Sequence, residues 1–341
     1  MRLLLAFLFF FLAPQSPPTM PPIGVIDFYG LRTVSEASAR GVHGFHEGDT
    51  VDLYRFSKEN QESERKLAGI PGVKSALISL VCCTDDHKSI LYVGIEEPAS
   101  PCLQFQAAPQ GTVRLTGDIV QAGKDTDAAF EKAIEKRDFG EDDSQGHALA
   151  HDRDLRAAQL RFLSLAEAHL ANLRDVLHNS SDEKQRALAA QVLGYAKDKQ
   201  TVVPDLVAAM RDPSFGVRNN AARALLVFAK FAPNPPAPKI QVPPQPFIEM
   251  LASCTWTDRN KSLGALAELT ESRDPSLLSK LRKEALPSLV EMAQWKSMGH
   301  AWSSLMILGR IGGLSEEEIQ KDLEQGNREK VIAAVRGTAK P

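Results

Sequence analysis

Aromatic side chains are scarce in this chain, 6% of 341 residues. A β-sandwich needs large inward-facing side chains, so the shortage favours helices packed through alanine and leucine. Charge of one sign is missing as well: 40 basic against 43 acidic residues leave a formal net charge of −3. That gives no basic footprint for nucleic acid or an anionic membrane surface. Cysteine occurs at Cys82, Cys83, Cys102 and Cys254 alone, with no CxxC pair or zinc spacing. Beyond residue 12 no apolar run reaches the roughly 20 residues of a membrane span. GxSxG, GxxxxGK and GxGxxG are all absent, which removes the common serine-hydrolase, phosphate-loop and dinucleotide signatures. What remains is globular, 43% hydrophobic and 24% charged, with room for two domains and a linker.

The first residues carry a sharp local signal. Met1-Arg2 precedes ten uncharged apolar residues, Leu3 to Leu12, and then Ala13-Pro14-Gln15-Ser16. This reads as a secretory signal over 1–16, too short to span a bilayer, and predicts an exported protein of the periplasm. The competing reading is a misplaced start codon and a frayed apolar end. Pro17, Pro18, Pro21 and Pro22 make 17–22 a stiff Pro-rich spacer. In an oxidising compartment Cys102 pairs with Cys82 or Cys83, or all three stay as thiols. Cys254 falls in a helical stretch and reads as core.

From Ile23 the pattern alternates: Ile26 and Phe28 against Asp27 and Tyr29, ended by Gly30. A strand with one buried face follows from period two. A short helix runs from Ser35 to about Val42, Gly48-Asp49 turns, and a polar helix carries Leu67. Ala76, Ile78 and Leu80 mark a second strand, Thr84 to Lys88 a hairpin loop, and Leu91, Val93 and Ile95 a third strand. The order β-α-α-β-β predicts one small sheet with both helices on one side. The runs Ile26-Asp27-Phe28-Tyr29-Gly30-Leu31, Val34-Ser35, Gly48-Asp49-Thr50-Val51, Ile70-Pro71-Gly72-Val73 and Leu91-Tyr92-Val93-Gly94-Ile95-Glu96-Glu97 resemble a POTRA domain over 23–97. The resemblance implies client binding in the periplasm, partly by strand addition to a sheet edge. No series of alternating ten-residue strands follows, so no barrel is expected for it to serve.

Residues 98–150 read as an irregular linker with one helix, Asp125 to Lys136, a short strand at Thr112 to Thr116 and an acidic turn from Gly140 to Gly146. From 151 to 335 the pattern is helical. Arg186-Ala187-Leu188-Ala189-Ala190-Gln191-Val192-Leu193-Gly194 recurs 32 residues later as Arg218-Asn219-Asn220-Ala221-Ala222-Arg223-Ala224-Leu225-Leu226. Such a period means stacked helix pairs, about four or five of them, with Val203-Pro204 opening one helix and Asp212-Pro213 turning back. The segment Asp212 to Ala221 resembles the HEAT repeat signature of bacterial HEAT-like proteins. The resemblance implies a hydrogen-bonded ladder between repeats through Asp212, Arg218 and Arg186, with Asp182 offered at the preceding turn. Seven prolines in 232–246 forbid a helix and predict an extended insertion between the two helices of one repeat, a passive loop or a docking arm filling the groove. Residues 336–341 are a tail. The expected fold is thus an α+β N-terminal domain plus an all-α solenoid, mostly α overall.

One cluster has a catalytic look, Asp142 to Asp154 with His147 and His151. On a helix the two imidazoles would share a face at i, i+4, but Ala148 stands where a zinc protease needs Glu, and no third ligand is placed. The bland reading is a solvated loop with Asp152 or Asp154 capping the next helix. No catalytic, cofactor-binding or metal residue is therefore assigned, and no cofactor is expected. The sequence predicts a non-catalytic scaffold or adaptor that binds other proteins of the cell envelope. A metal-dependent hydrolase using His147 and His151, or a regulatory sensor partnering an envelope system, are the alternatives.

Overall fold

The computed structural model describes residues 19–84, 86–136, 138, 140–233 and 240–337. The expected signal at 1–16, residues 234–239 of the proline segment and tail residues 338–341 lie outside the described residues.

Strand β1 (Thr19–Met20) pairs with β3 (Val51–Asp52) beside a larger sheet. That sheet is built from β2 (Ile23–Tyr29), β4 (Ser75–Cys82) and β5 (Ser89–Glu96) in the order β2-β5-β4. Strand β2 runs parallel to β5, and β4 antiparallel to it. Helices α1 (Glu36–Arg40) and α2 (Leu53–Ala68) separate β2 from β4. Ser35 caps α1 by accepting from the Ser38 N–H. Alternate residues Ile26, Ala76, Ile78, Leu91, Val93 and Ile95 form a core with Ala39 and Leu67. The other sheet face does not meet water. Tyr29, Ile90 and Tyr92 belong to the core of the helical half, so every residue of β5 is buried.

Helix α3 (Gly117–Lys136) starts eight residues before the expected Asp125, and no strand forms at 112–116. Leu115, Ile119 and Ala122 supply an apolar face that the polar sequence around them disguised. A two-stranded hairpin follows, β6 (Glu141–Asp142) with β7 (Leu149–Ala150). Then come α4 (Arg153–Ala168), α5 (Leu170–Asn179), α6 (Glu183–Leu193), α7 (Lys199–Ala209), α8 (Phe215–Phe231), α9 (Gln245–Met250) and α10 (Trp256–Leu269). The chain continues through α11 (Pro275–Glu284), α12 (Leu286–Ala293), α13 (Met298–Ile311), α14 (Glu316–Glu324) and α15 (Arg328–Gly337). Helices α6, α8, α10 and α13 stack in one row, each backed by its predecessor α5, α7, α9 or α12. Pro204 lies inside α7 rather than opening it, and Asp198 is the N-cap. The proline segment joins α8 to α9, so it connects successive helix pairs instead of splitting one. Its described end turns inward: Ile240 and Val242 are buried, and the Gln241 N–H donates to Gln200 of α7 at 2.7 Å. Among the described residues it fills no groove on the second-helix row.

Arginine fixes the register of that row. Arg186, Arg218 and Arg259 are each the fourth residue of their helix and each almost fully buried. Each donates to the carbonyl oxygen six residues back, at Ser180 (2.8 Å), Asp212 (2.9 Å) and Ser253 (2.6 Å). Each also reaches a carboxylate further along the array. Arg186 grips Asp212 with two hydrogen bonds of 2.7 and 2.8 Å, Arg218 grips Asp258, and Arg259 meets Glu291 at 2.7 Å. Asp182 is not part of this chain of contacts. It caps α6 and pairs with Arg114, while Ser180 occupies the turn position.

The last rung docks the sheet. Glu291 accepts from the Gly30 N–H at 2.9 Å and from Arg32, and the Tyr29 hydroxyl donates to the Cys254 carbonyl at 2.7 Å. Tyr92 stacks on Trp256 at 5.2 Å, packs on Trp295 and shares a hydrogen bond with His300. Gly94 permits this approach: a Cβ there would stand 2.3 Å from the Cys254 carbonyl oxygen and 2.7 Å from the Tyr29 ring. From β5 the chain runs back over the arginine turns. The Leu103 and Gln106 N–H groups donate to Ala252 and Arg211, Phe105 lies 3.6 Å under the Arg218 guanidinium, and Gly111 bridges Ser180.

That path overturns the expected cysteine pairing. Cys102 is bonded to Cys254, and Cys82 to its neighbour Cys83. The strap carries Cys102 away from β4 and onto the α9–α10 turn, where the two Cα atoms are 5.4 Å apart.

Two substitutions test these contacts. Asp212→Ala strands Arg186 in the core and should cost about 3–5 kcal/mol in urea unfolding. Asp182→Ala removes a cap and a partly exposed pair with Arg114, and should cost about 0.5–2 kcal/mol. Equal losses would contradict the ladder. Gly94→Val should cost about 1–3 kcal/mol by overpacking and speed hydrogen exchange across β5.

Candidate functional site

Segments already cover much of the molecule's hydrogen-bonding edge. On β4 the Ile78 N–H is taken by Glu64 and its carbonyl by Asn60. On β2 the Ile26 carbonyl accepts from Arg40 and Lys296, and Ile23 is bonded to Gly48 and Asp49. The expected strand-addition edges are therefore capped at their centres. The strap covers the arginine turns. The second-helix row is covered only in part, at α6 and α8.

Helix α3 and the β6–β7 hairpin lie over α6 and α8 and leave a cavity of about 330 Å³ between them. Its lining includes Phe130, Glu141, His147, Tyr195, Asn219 and Arg223. The fifth residue of each row helix is Ala187, Asn219, Asn260 or Trp302, in order along the array. Asn219 donates to Asn220, which in turn donates to the Ala187 carbonyl of the preceding helix at 2.9 Å. Trp302 is 38% exposed, unusual for an indole in a packed row.

The structure separates the two histidines that the sequence placed together. Residues 147–151 are not helical: β7 stands between the imidazoles, so the i, i+4 premise of a metal site fails. His147 is buried against Tyr195 with ring centroids 5.7 Å apart, and neither ring nitrogen has a partner among the described residues. His151 is exposed, its backbone N–H bonded to the Gly140 carbonyl. Asp152 caps α4, accepting from the N–H groups of Asp154 and Leu155 and from Lys136. Among the described residues no group of three or more His, Cys, Asp or Glu is placed to hold a metal ion. Burial, and then the nearby Lys199 charge, lower the His147 pKa below its usual 6.5.

Sequence reasoning missed the hairpin's electrostatic role. Glu141 pairs with Arg223, Asp143 with Lys230 at 3.0 Å, and Asp142 with Arg156 at 3.0 Å. The available signal was the spacing of Arg223 and Lys230, seven residues and two helical turns apart on one face, opposite an acidic run.

Among known families, a model described as HEAT repeats matches residues 170–237, from α5 into the proline segment. The helical part of the chain contains a HEAT-repeat region. No curated protein matches the chain. Two solved structures resemble it loosely. The designed armadillo repeat protein YIII(Dq)4CqI is 17% identical, with a TM-score of 0.35 over 57% of this chain and 98% of that one. Designed armadillo repeat protein YIII(Dq.V1)4CPAF in complex with peptide (KR)4 is 15% identical, with a TM-score of 0.35 over 56% and 88%. The repeat architecture rests on the matched family and on the arginine ladder, not on those two overlaps.

His147 makes stability pH-dependent with a definite sign. Its folded pKa lies below the unfolded value of about 6.5, so the unfolded chain binds the proton first. His43 and His300 are lowered by burial in the same way. Urea midpoints should hold above about pH 7 and fall as the pH drops through 6.5. His147→Gln should make that fall shallower; an unchanged slope would show that His147 does not titrate on unfolding.

Proposed function

We propose that the chain is a non-catalytic, exported scaffold of the cell envelope that binds other proteins along its second-helix row. The observation that carries this is the contrast between surfaces. The sheet edges are capped and the arginine turns are strapped over, while the row keeps a cavity, two asparagines at equivalent positions and an exposed Trp302. A protein segment laid there meets hydrogen-bonding amides and an aromatic anchor, the composition of interface centres. The HEAT-repeat match favours the same reading, since stacked helix pairs offer long continuous surfaces.

Export and the POTRA-like identity of 23–97 belong to this proposal. The apolar run Leu3 to Leu12 supports export, as does a Cys102–Cys254 bond that persists in an oxidising compartment. The order β-α-α-β-β and the mixed sheet support a POTRA-like unit. Its role here is turned inward, because the hallmark residues Tyr29, Tyr92 and Gly94 face the helices.

The test is capture of envelope proteins on the full chain, compared with an Asn260→Arg/Trp302→Glu variant of unchanged circular dichroism. The variant should lose the specific partners. Equal capture by both, or none above background, would overturn the proposal. Fractionation of cells expressing the chain tests export: retention in the cytoplasm would remove that part.

A further inference from the structure

The β6–β7 turn meets the helices through charge. Glu141 pairs with Arg223 and Asp143 with Lys230, and all four side chains are between a third and a half exposed. Ion pairs at that exposure are weak, salt-screened and easily exchanged. The hairpin's second strand is anchored, the Ala148 carbonyl accepting from Tyr195 and the Ala150 N–H donating to Gln159, while its acidic tip leans on α8 through the two exposed pairs and on a ladder of two residue pairs.

On the next row helix lies Lys261. It is half-buried, and no hydrogen bond or ion pair reaches it among the described residues. Burial first, and then the Arg223 cation, lower its pKa; Glu141 opposes the effect and Lys230 adds to it. Helices α8 and α10 pack side by side, so Arg223 and Lys230 of one and Lys261 of the other lie close enough for their charges to act on one another, with the Glu268 carboxylate also within the field of Lys230. Phe130, 51% exposed, stands on the rim of the cavity that Glu141 and Arg223 also line. This basic cluster already accepts an acidic segment, and it holds a cation which that segment leaves unpaired.

We infer that this cluster is the docking site for an acidic segment of a partner protein, and that the chain's own acidic turn occupies it until the partner displaces it. The inference rests on the scaffold reading for the partner being a protein, and adds its chemistry and a built-in competitor. A partner segment would place carboxylates on Arg223 and Lys261 and an apolar side chain against Phe130. Salt should weaken it, as it weakens the turn.

The experiment uses the full chain and labelled poly-glutamate and poly-lysine peptides, read by fluorescence anisotropy at low salt. Poly-glutamate should bind and poly-lysine should not. Glu141→Gln/Asp143→Asn should bind poly-glutamate several-fold more tightly, because the competitor is gone. Lys261→Gln should bind it several-fold more weakly, and it keeps most of the half-buried stem while breaking no hydrogen bond or ion pair among the described residues. An unchanged affinity in either variant overturns the inference, as does poly-glutamate binding to neither the native chain nor the neutralised one. Preference for poly-lysine overturns the acidic-partner chemistry while leaving the scaffold reading to the capture experiment, which does not depend on peptide charge.

Discussion

Three guanidinium groups buried between successive helices set everything else in this molecule. A charge so placed is tolerated only when its hydrogen bonds are all satisfied and its countercharge is at hand. Arg186, Arg218 and Arg259 meet both conditions in the same way, a carbonyl of their own turn and a carboxylate further along the array. The geometry forces each helix to sit at one height against the next. Apolar packing of alanine and leucine is non-directional, whereas each guanidinium is satisfied at one position only.

The ladder also explains how two differently built halves become one body. Its final carboxylate, Glu291, is shared between Arg259 and the backbone of Gly30. Burial works to raise the Glu291 pKa, but the Arg259 guanidinium and the Gly30 N–H outweigh it, so the carboxylate stays charged. Around that charge Tyr29, Tyr92, Trp256 and Trp295 fill the gap with aromatic area. A small sheet with a second apolar face must cover it somehow. Here the helical half does so, and Gly94 supplies the room.

The sequence made the local pieces legible. Period two located the strands at Ile26, Ile78 and Val93, the short helical pattern from Ser35 located α1, and the repeated arginine located α6 and α8. Contacts between distant residues were not legible. Nothing at Cys102 announces that 152 residues later Cys254 will stand beside it, since that depends on the path of the strap. The i, i+4 look of His147 and His151 required a helix, and the β6–β7 hairpin removed it. Ser180 and Ser253 hid the regularity of the turns, because the arginines bind the backbone carbonyl at that position and do not need its side chain to be Asp. Arg259 was missed for the same reason. Its carboxylate, Glu291, lies on a helix whose pattern shows no repeat signature.

Burial divides the charges of this chain into two kinds with different consequences. Arg186, Arg218 and Asp258 are almost wholly out of water, so breaking such a pair leaves a charge that solvent cannot repair. Glu141 with Arg223 and Asp143 with Lys230 remain in contact with water, so either partner can leave and be hydrated. The same chemistry therefore makes rigid rungs in the interior and an exchangeable latch on the surface. Arg218 and Arg223 stand five residues apart on one helix, and depth alone makes the first a fixed part of the frame and the second free to change partners.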